Sequence, residues 1–128
     1  MKLLLDTHTL LWWFTDDPRL SPVARTAIMD QGNEIFVSAA SAWEIATKQR
    51  LGKLAELPEP ADRFGELTAA DGFIHLPVNY LHSLLAGGYD LAHRDPFDRM
   101  LAAQSEIESL PLVTRDPAFA LFEIETFW

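Results

Sequence analysis

Four acidic residues, Asp6, Glu44, Asp98 and Asp116, fall where strands should end or helices should begin, and they are scattered over the whole chain. Asp6 closes the apolar run Lys2-Leu3-Leu4-Leu5. Glu44 lies in the helical stretch Ser41-Ala42-Trp43-Glu44-Ile45. Asp98 follows Asp95-Pro96-Phe97, and Asp116 follows Leu112-Val113-Thr114-Arg115. Carboxylates gathered by a fold repel one another unless a cation sits among them. An all-oxygen donor set of this kind suits Mg²⁺ or Mn²⁺. The chemistry it points to is metal-dependent phosphoryl transfer.

Each acid also has a plain structural explanation. Asp6 or Thr7 could cap the helix that follows. Ser41 and Glu44 have the spacing of a capping box, which would tie Glu44 to the backbone; a helix starting at Ser38 or Ala39 would instead put Glu44 in its second turn, facing a pocket. Asp95 precedes Pro96 as a cap precedes a first helical proline, so Asp98 is either a complement to the helix dipole or a ligand. Asp95 and Asp98 share a helix edge and repel, and Arg94, Arg99 or a metal could relieve them. Asp116 before Pro117 reads as a cap too. The joint pattern carries the inference, because all four would converge on one sheet edge.

The elements that must bring them there alternate along the chain. Strands are expected at Lys2–Asp6, Glu34–Val37, Gly72–Leu76, Leu110–Thr114 and Glu123–Thr126. Helices are expected at Thr9–Phe14, Pro22–Gln31, Ala40–Leu51, Ala61–Ala70, Asn79–Ala86 and Pro96–Glu108. Gly52 is placed for a left-handed helix stop, Gly87-Gly88 for a turn, and Pro58 to Pro60 for a loop. Leu3-Leu4-Leu5 and Leu110-Pro111-Leu112-Val113 are continuous apolar runs, the mark of strands covered on both faces. The fold class is therefore α/β with a mainly parallel sheet of four to five strands. Such sheets hold ligands at the carboxyl ends of their strands.

Bulk properties narrow the field. The 128 residues suit one domain spanning 1–128. The absence of cysteine rules out disulfides and thiolate metal sites and fits a reducing cytoplasm. No apolar run nears the roughly 20 residues that span a bilayer. The first run is too short for a signal-peptide core, so a soluble, cytoplasmic protein is expected. A formal net charge of −9 argues against a simple nucleic-acid-binding module. It leaves room for a nuclease, because bound cations reverse the local field. Lys48, Arg50 and Lys53 form a basic cluster that fits either a helix C-terminus or a phosphate contact. His8, His75, His82 and His93 lack metal-ligand spacing; His93, beside Arg94 and Asp95, could contact substrate or position its loop. Trp12, Trp13 and Phe14 read as packing residues, with an interface as the other option.

The stretches Leu4-Leu5-Asp6-Thr7-His8, Val37-Ser38-Ala39-Ala40-Ser41-Ala42-Trp43-Glu44-Ile45, Leu51-Gly52-Lys53-Leu54, His93-Arg94-Asp95-Pro96-Phe97-Asp98-Arg99-Met100-Leu101-Ala102-Ala103-Gln104 and Leu112-Val113-Thr114-Arg115-Asp116 occur in an order that resembles the PIN-domain ribonucleases, and most closely the VapC-type toxins of toxin–antitoxin pairs. The resemblance implies a PIN-like α/β/α sandwich and hydrolysis of RNA phosphodiesters by a metal-activated water. It places the four family acids on Asp6, Glu44, Asp98 and Asp116 as catalytic and metal-binding residues, with Mg²⁺ or Mn²⁺ as cofactor. Thr114 matches a hydroxyl position that could orient a water or phosphate, and Arg99 and Lys48 are candidates for substrate contact. A homodimer and a cognate antitoxin, whose C-terminal segment covers the active site, are implied as partners, with no membrane.

Three other readings remain in play. A haloacid-dehalogenase-like phosphatase also begins with an acid after its first strand, but it needs a second acid where His8 stands and a late lysine that the chain lacks. A receiver domain fails on the same two points. A non-catalytic interaction module would use the acids only as helix caps and would bind no metal.

Overall fold

The computed structural model describes residues 1–128. Its elements are β1 (Lys2–Leu5), α1 (Thr7–Phe14), α2 (Pro22–Met29), β2 (Glu34–Ser38), α3 (Ala39–Arg50), α4 (Phe64–Ala70), β3 (Ile74–Leu76), α5 (Tyr80–Gly88), α6 (Pro96–Glu108), β4 (Leu112–Val113), a 3₁₀ turn (Pro117–Leu121) and β5 (Thr126–Phe127). The five strands form one sheet in the order β3-β2-β1-β4-β5, and every neighbouring pair is parallel. The chain winds outward from β1 in one direction through β2 and β3, then returns to β4 on the other side. That reversal makes β1 and β4 the flanks of the switch point where parallel sheets open a crevice.

Both faces of the sheet are covered, as the continuous apolar runs require. Leu3 and Leu5 point to one side and pack with Leu10, Ala24, Ile28, Val37, Ile45 and Val113. Leu4 points to the other and packs with Leu101, Ala102, Leu112, Phe119 and Phe122. The two-residue period of a strand sends neighbouring leucines into different layers, and helices close each layer.

The helix boundaries decide which acids are free. Ser38 caps α3, its hydroxyl accepting the Ala40 N–H at 2.9 Å. The capping-box alternative for Ser41 and Glu44 is therefore wrong: Glu44 sits in the second turn and is buried. Asp95 caps α6 by accepting the N–H groups of Phe97 at 2.9 Å and Asp98 at 3.2 Å. Asp6 occupies the cap position of α1 but takes no capping bond through its side chain. Gly52 ends α3 at φ +71°, the left-handed stop its type allows.

Several boundaries differ from those expected, each for a local reason. The strand expected from Leu110 begins at Leu112, because Leu110 still belongs to the end of α6: its N–H donates to the Ser105 carbonyl and its carbonyl accepts the Ser105 hydroxyl at 2.6 Å. The last strand shifts from Glu123–Thr126 to Thr126–Phe127, paired with Leu112 and Val113. β3 starts at Ile74 rather than Gly72, which turns the chain at φ +68°. The helix expected from Ala61 begins at Phe64. Gly87 and Gly88 are the last turn of α5, not a turn between elements.

Candidate metal centre

Asp6, Glu44 and Asp98 come from three different elements: Asp6 directly follows β1, Glu44 lies in the helix that follows β2, and Asp98 lies in the first turn of α6. Asp6 is 4 % exposed and Glu44 3 %. Burial pushes the Asp6 carboxyl above its ordinary range, and the charge of Glu44 adds to this; a hydrogen bond from Thr114 and the charge of His8 pull the other way. Asp98 is pushed up to about 7, first by burial and then by the charges of Asp95, Asp6 and Glu44, against a hydrogen bond from His93. These mutual effects place the three acids within electrostatic reach of one another.

Each acid has one ordered partner. The Thr114 hydroxyl donates to Asp6 Oδ2 at 2.8 Å and accepts the Asp116 N–H at 3.1 Å. That hydroxyl therefore ties the Asp6 carboxylate to the backbone of Asp116. Lys48 Nζ lies 2.8 Å from Glu44 Oε2, one helical turn on. The other oxygen of Glu44, Oε1, is buried with no partner. An orphaned anionic oxygen of this kind is costly unless something positive meets it. His93 Nε2 lies 2.9 Å from Asp98 Oδ2, and the imidazole is held by the rings of Phe119 and Phe122. His93 is thus tied to Asp98 through its ring and to Arg99 through its carbonyl.

Asp116 differs from the other three in what its side chain does. It is exposed, and its Oδ1 accepts the Ala118 N–H at 2.9 Å to cap the 3₁₀ turn. Its side chain thus serves as a cap, while its backbone N–H is tied through the Thr114 hydroxyl to Asp6. Asp116 touches the pocket only through its backbone bond to Thr114.

Arg99 is also not where a phosphate contact requires. Its guanidinium donates to the carbonyls of Ala86 at 2.8 Å, His93 at 2.9 Å and Tyr89 at 2.6 Å. It sews the end of α5 and the following loop onto α6, and so fixes His93, and it is spent in doing so. Nor does it relieve the repulsion between Asp95 and Asp98. Arg99→Lys keeps the charge but loses the fork that reaches several carbonyls. It should destabilise the protein by about 2 kcal/mol or more, on the scale of losing one or two charged hydrogen bonds, seen as a lower midpoint in urea at unchanged slope.

The donor set suits a divalent cation. Three oxygen-donor side chains, two with raised pKa values and one with a buried unpartnered oxygen, form an environment that a hard cation would neutralise. No three His, Asp or Glu side chains stand close enough to hold an ion by themselves.

The PIN domain family matches residues 3–124. The chain belongs to that family. Over 48 residues it is 52 % identical to Ribonuclease VapC16 of Mycobacterium tuberculosis, a stretch that takes in 34 % of this chain and 33 % of the relative. The chain thus matches about a third of that curated relative's length. The fold resembles VapBC2 from Rickettsia felis bound to a DNA fragment from their promoter, with a TM-score of 0.65 at 13 % identity, covering 98 % of this chain and 96 % of the other. It also resembles FitAB bound to an IR36 DNA fragment, with a TM-score of 0.58 at 20 % identity and coverage of 99 % and 94 %. Both bear out the α/β/α sandwich with its parallel sheet. No helix of this PIN domain is long and apolar enough to cross a membrane.

Sequence reasoning missed two features of the site. One is Thr114 as the support of Asp6, although its place two residues before Asp116 was a usable signal. The other is Trp12, whose ring meets two guanidiniums: Arg19 at 5.0 Å and Arg115 at 4.8 Å from the ring centroid. Arg115 is 103 positions from Trp12 in the chain, and only the pairing of β1 with β4 brings them together.

Proposed function

We propose that this PIN domain is a Mg²⁺- or Mn²⁺-dependent ribonuclease, the toxin of a toxin–antitoxin pair acting in the cytoplasm. The observation that carries the reading is that two buried acids and a half-buried third cap nothing. Asp6, Glu44 and Asp98 are each released from the helix-capping duty that would explain them otherwise. The non-catalytic interaction module has no use for such a pocket. The family membership and the resemblance to a named ribonuclease support the same reading.

Asp6, Glu44 and Asp98 would hold the cation, directly or through waters. A bound divalent ion supplies Lewis acidity toward a phosphoryl oxygen and makes water acidic enough to act near neutral pH. The protein's own residues do the positioning. Thr114 fixes the rotamer of Asp6, and His93 fixes Asp98. Lys48 neutralises one oxygen of Glu44 and leaves the other buried without a partner. That preorganisation means little has to move when charge develops on the phosphate.

Partners follow as part of the same reading: an RNA substrate, a cognate antitoxin and a second copy of this chain. An apolar groove of about 490 Å³ between α3, α5 and α6 supports a protein contact. Trp43 at its edge is 64 % exposed and meets Phe97 edge-on at 4.8 Å.

The test is cleavage of defined RNAs with Mg²⁺ or Mn²⁺ and with EDTA. Cleavage that disappears in EDTA is expected; equal cleavage in EDTA, or none with either metal, counts against the reading. Asp116→Asn refines the site. Because Asp116 caps a turn and faces solvent, its loss should reduce cleavage about tenfold at most, well short of losing a main electrostatic contributor. An Asp116→Asn loss as deep as that of Asp98→Asn would return the fourth acid to the pocket.

A further inference from the structure

The chain carries ten Lys and Arg residues against nineteen acids, so where the cations gather is informative. Lys2, Arg25 and Arg63 pair with Glu34, Asp16 and Glu66. Arg99 is consumed by carbonyls. Three others, Arg19, Lys48 and Lys53, line one cleft of about 350 Å³ together with His8 and Trp12. A fourth, Arg115, lies on the Trp12 ring at its margin. Lys53 and Arg115 are exposed, and neither makes an ion pair. Glu56 is the one acid on the wall, and Asp17 holds Arg19 from outside with bonds of 3.0 and 2.8 Å.

This cleft shares a wall with the acidic pocket. Lys48 lines the cleft and touches Glu44. His8 lines it too, and its charge acts on Asp6 only two residues away. A polyanion whose reacting phosphate lies at the acids would therefore carry its neighbouring phosphate past Lys48 toward Lys53 and Arg115. Trp12 serves the cations rather than a base, since both guanidiniums lie against its ring.

Resting on the ribonuclease reading, we propose that the cleft bounded by His8, Trp12, Lys48 and Lys53, with Arg115 at its rim, is the phosphate-binding path that leads single-stranded RNA into the acidic pocket. It grips the backbone and reads no bases. Its contribution to affinity is then electrostatic, salt-sensitive and the same for any sequence.

The test uses Lys53→Ala, Arg115→Ala and their double variant, with Lys2→Ala as a control at the other end of β1. Binding of labelled single-stranded oligouridine and oligoadenosine is measured in EDTA over a range of salt. Each cleft variant should lower the slope of log affinity against log salt by about 0.7, and the double variant by about 1.4, as lost single-strand phosphate contacts do. Affinity of the double variant should fall at least about fivefold for both oligonucleotides alike. Lys2→Ala should bind as the natural protein does. Unchanged affinity and slope in the double variant overturn the proposal, as does failure of the natural protein to bind either RNA. A fall for one oligonucleotide only overturns backbone recognition. With metal present, the double variant should raise KM and leave kcat in place. Metal-dependent cleavage at an unaltered KM sinks the cleft but spares the ribonuclease reading. Binding without any cleavage sinks that reading and leaves the binding result standing.

Discussion

Asp98→Asn should lower RNA cleavage by at least about a hundredfold while the fold stays intact, on the scale of removing one principal electrostatic contributor. The substitution keeps the size and planarity of the side chain. It removes one negative charge and replaces a strong hard-cation ligand with a weak one. The backbone of the first turn of α6 does not depend on Asp98, because Asp95 does the capping. Nor should stability suffer. In the folded chain Asp98 is pushed up to about 7 by burial and by Asp95, Asp6 and Glu44, so its ionised form is a burden on the native state at neutral pH. The variant should melt at the same temperature as the natural protein in EDTA, or higher. Initial cleavage rates and melting curves on the same preparation separate the two effects. Near-normal cleavage, or a collapse of stability that accounts for the loss of activity, would each defeat the assignment of Asp98 as a ligand.

The fold was readable because its determinants are local. Three consecutive leucines before Asp6 announce a doubly covered strand, and Leu3 and Leu5 do part from Leu4 into separate layers. Ser21-Pro22 and Asp95-Pro96 each open a helix at the residue expected: Ser21 accepts the Ala24 N–H at 3.0 Å, and Asp95 accepts two N–H groups. The weaker elements moved because their boundaries depend on distant partners. Thr126 and Phe127 become a strand only by pairing with β4, and nothing near them in sequence selects those two residues over Glu123–Thr126.

The site was legible in a different way. Spacing supplied the candidates but not their status, because an acid at a helix start is equally a cap and a ligand. What separates Asp116 from Asp6 is a hydrogen bond, present in one and absent in the other. The basic residues were harder still. Arg99 looks free beside Asp98 in sequence, yet the turn of α5 presents it with carbonyls that absorb the guanidinium. Arg115 looks like an ordinary loop residue until β4 lays it beside the helix that follows β1. Arg99 and Arg115 each meet partners far from them in sequence, so those partners are a property of the tertiary fold.

Stability in the absence of metal should fall as pH rises from about 4 to about 7, the reverse of the usual acid-side loss. Asp98 has a model-peptide value of 3.8 and is raised to about 7 in the folded chain. Below the lower value both states hold the proton and the group is neutral in effect. Between the two, the unfolded chain ionises while the folded chain keeps its proton. The folded state then binds more protons, and stability declines with every unit of pH. Above about 7 both are ionised and the native state carries the full repulsion. Asp6, raised by burial, acts in the same direction. Asp17 is lowered to about 2 by Arg19 and acts oppositely, but its contribution is lost only as pH falls below the ordinary carboxylate range, outside this window. Divalent ions compete with protons for the same oxygens. Millimolar Mn²⁺ should therefore raise the melting temperature clearly at pH 8 and little at pH 5, by mass action on the folded state alone. In Asp98→Asn the metal-free pH slope should flatten and the Mn²⁺ effect should shrink. A melting temperature that climbs from pH 5 to pH 8 in EDTA and ignores Mn²⁺ at both would mean that Asp6, Glu44 and Asp98 do not share a charged pocket, and both the cation and the chemistry built on it would go with them.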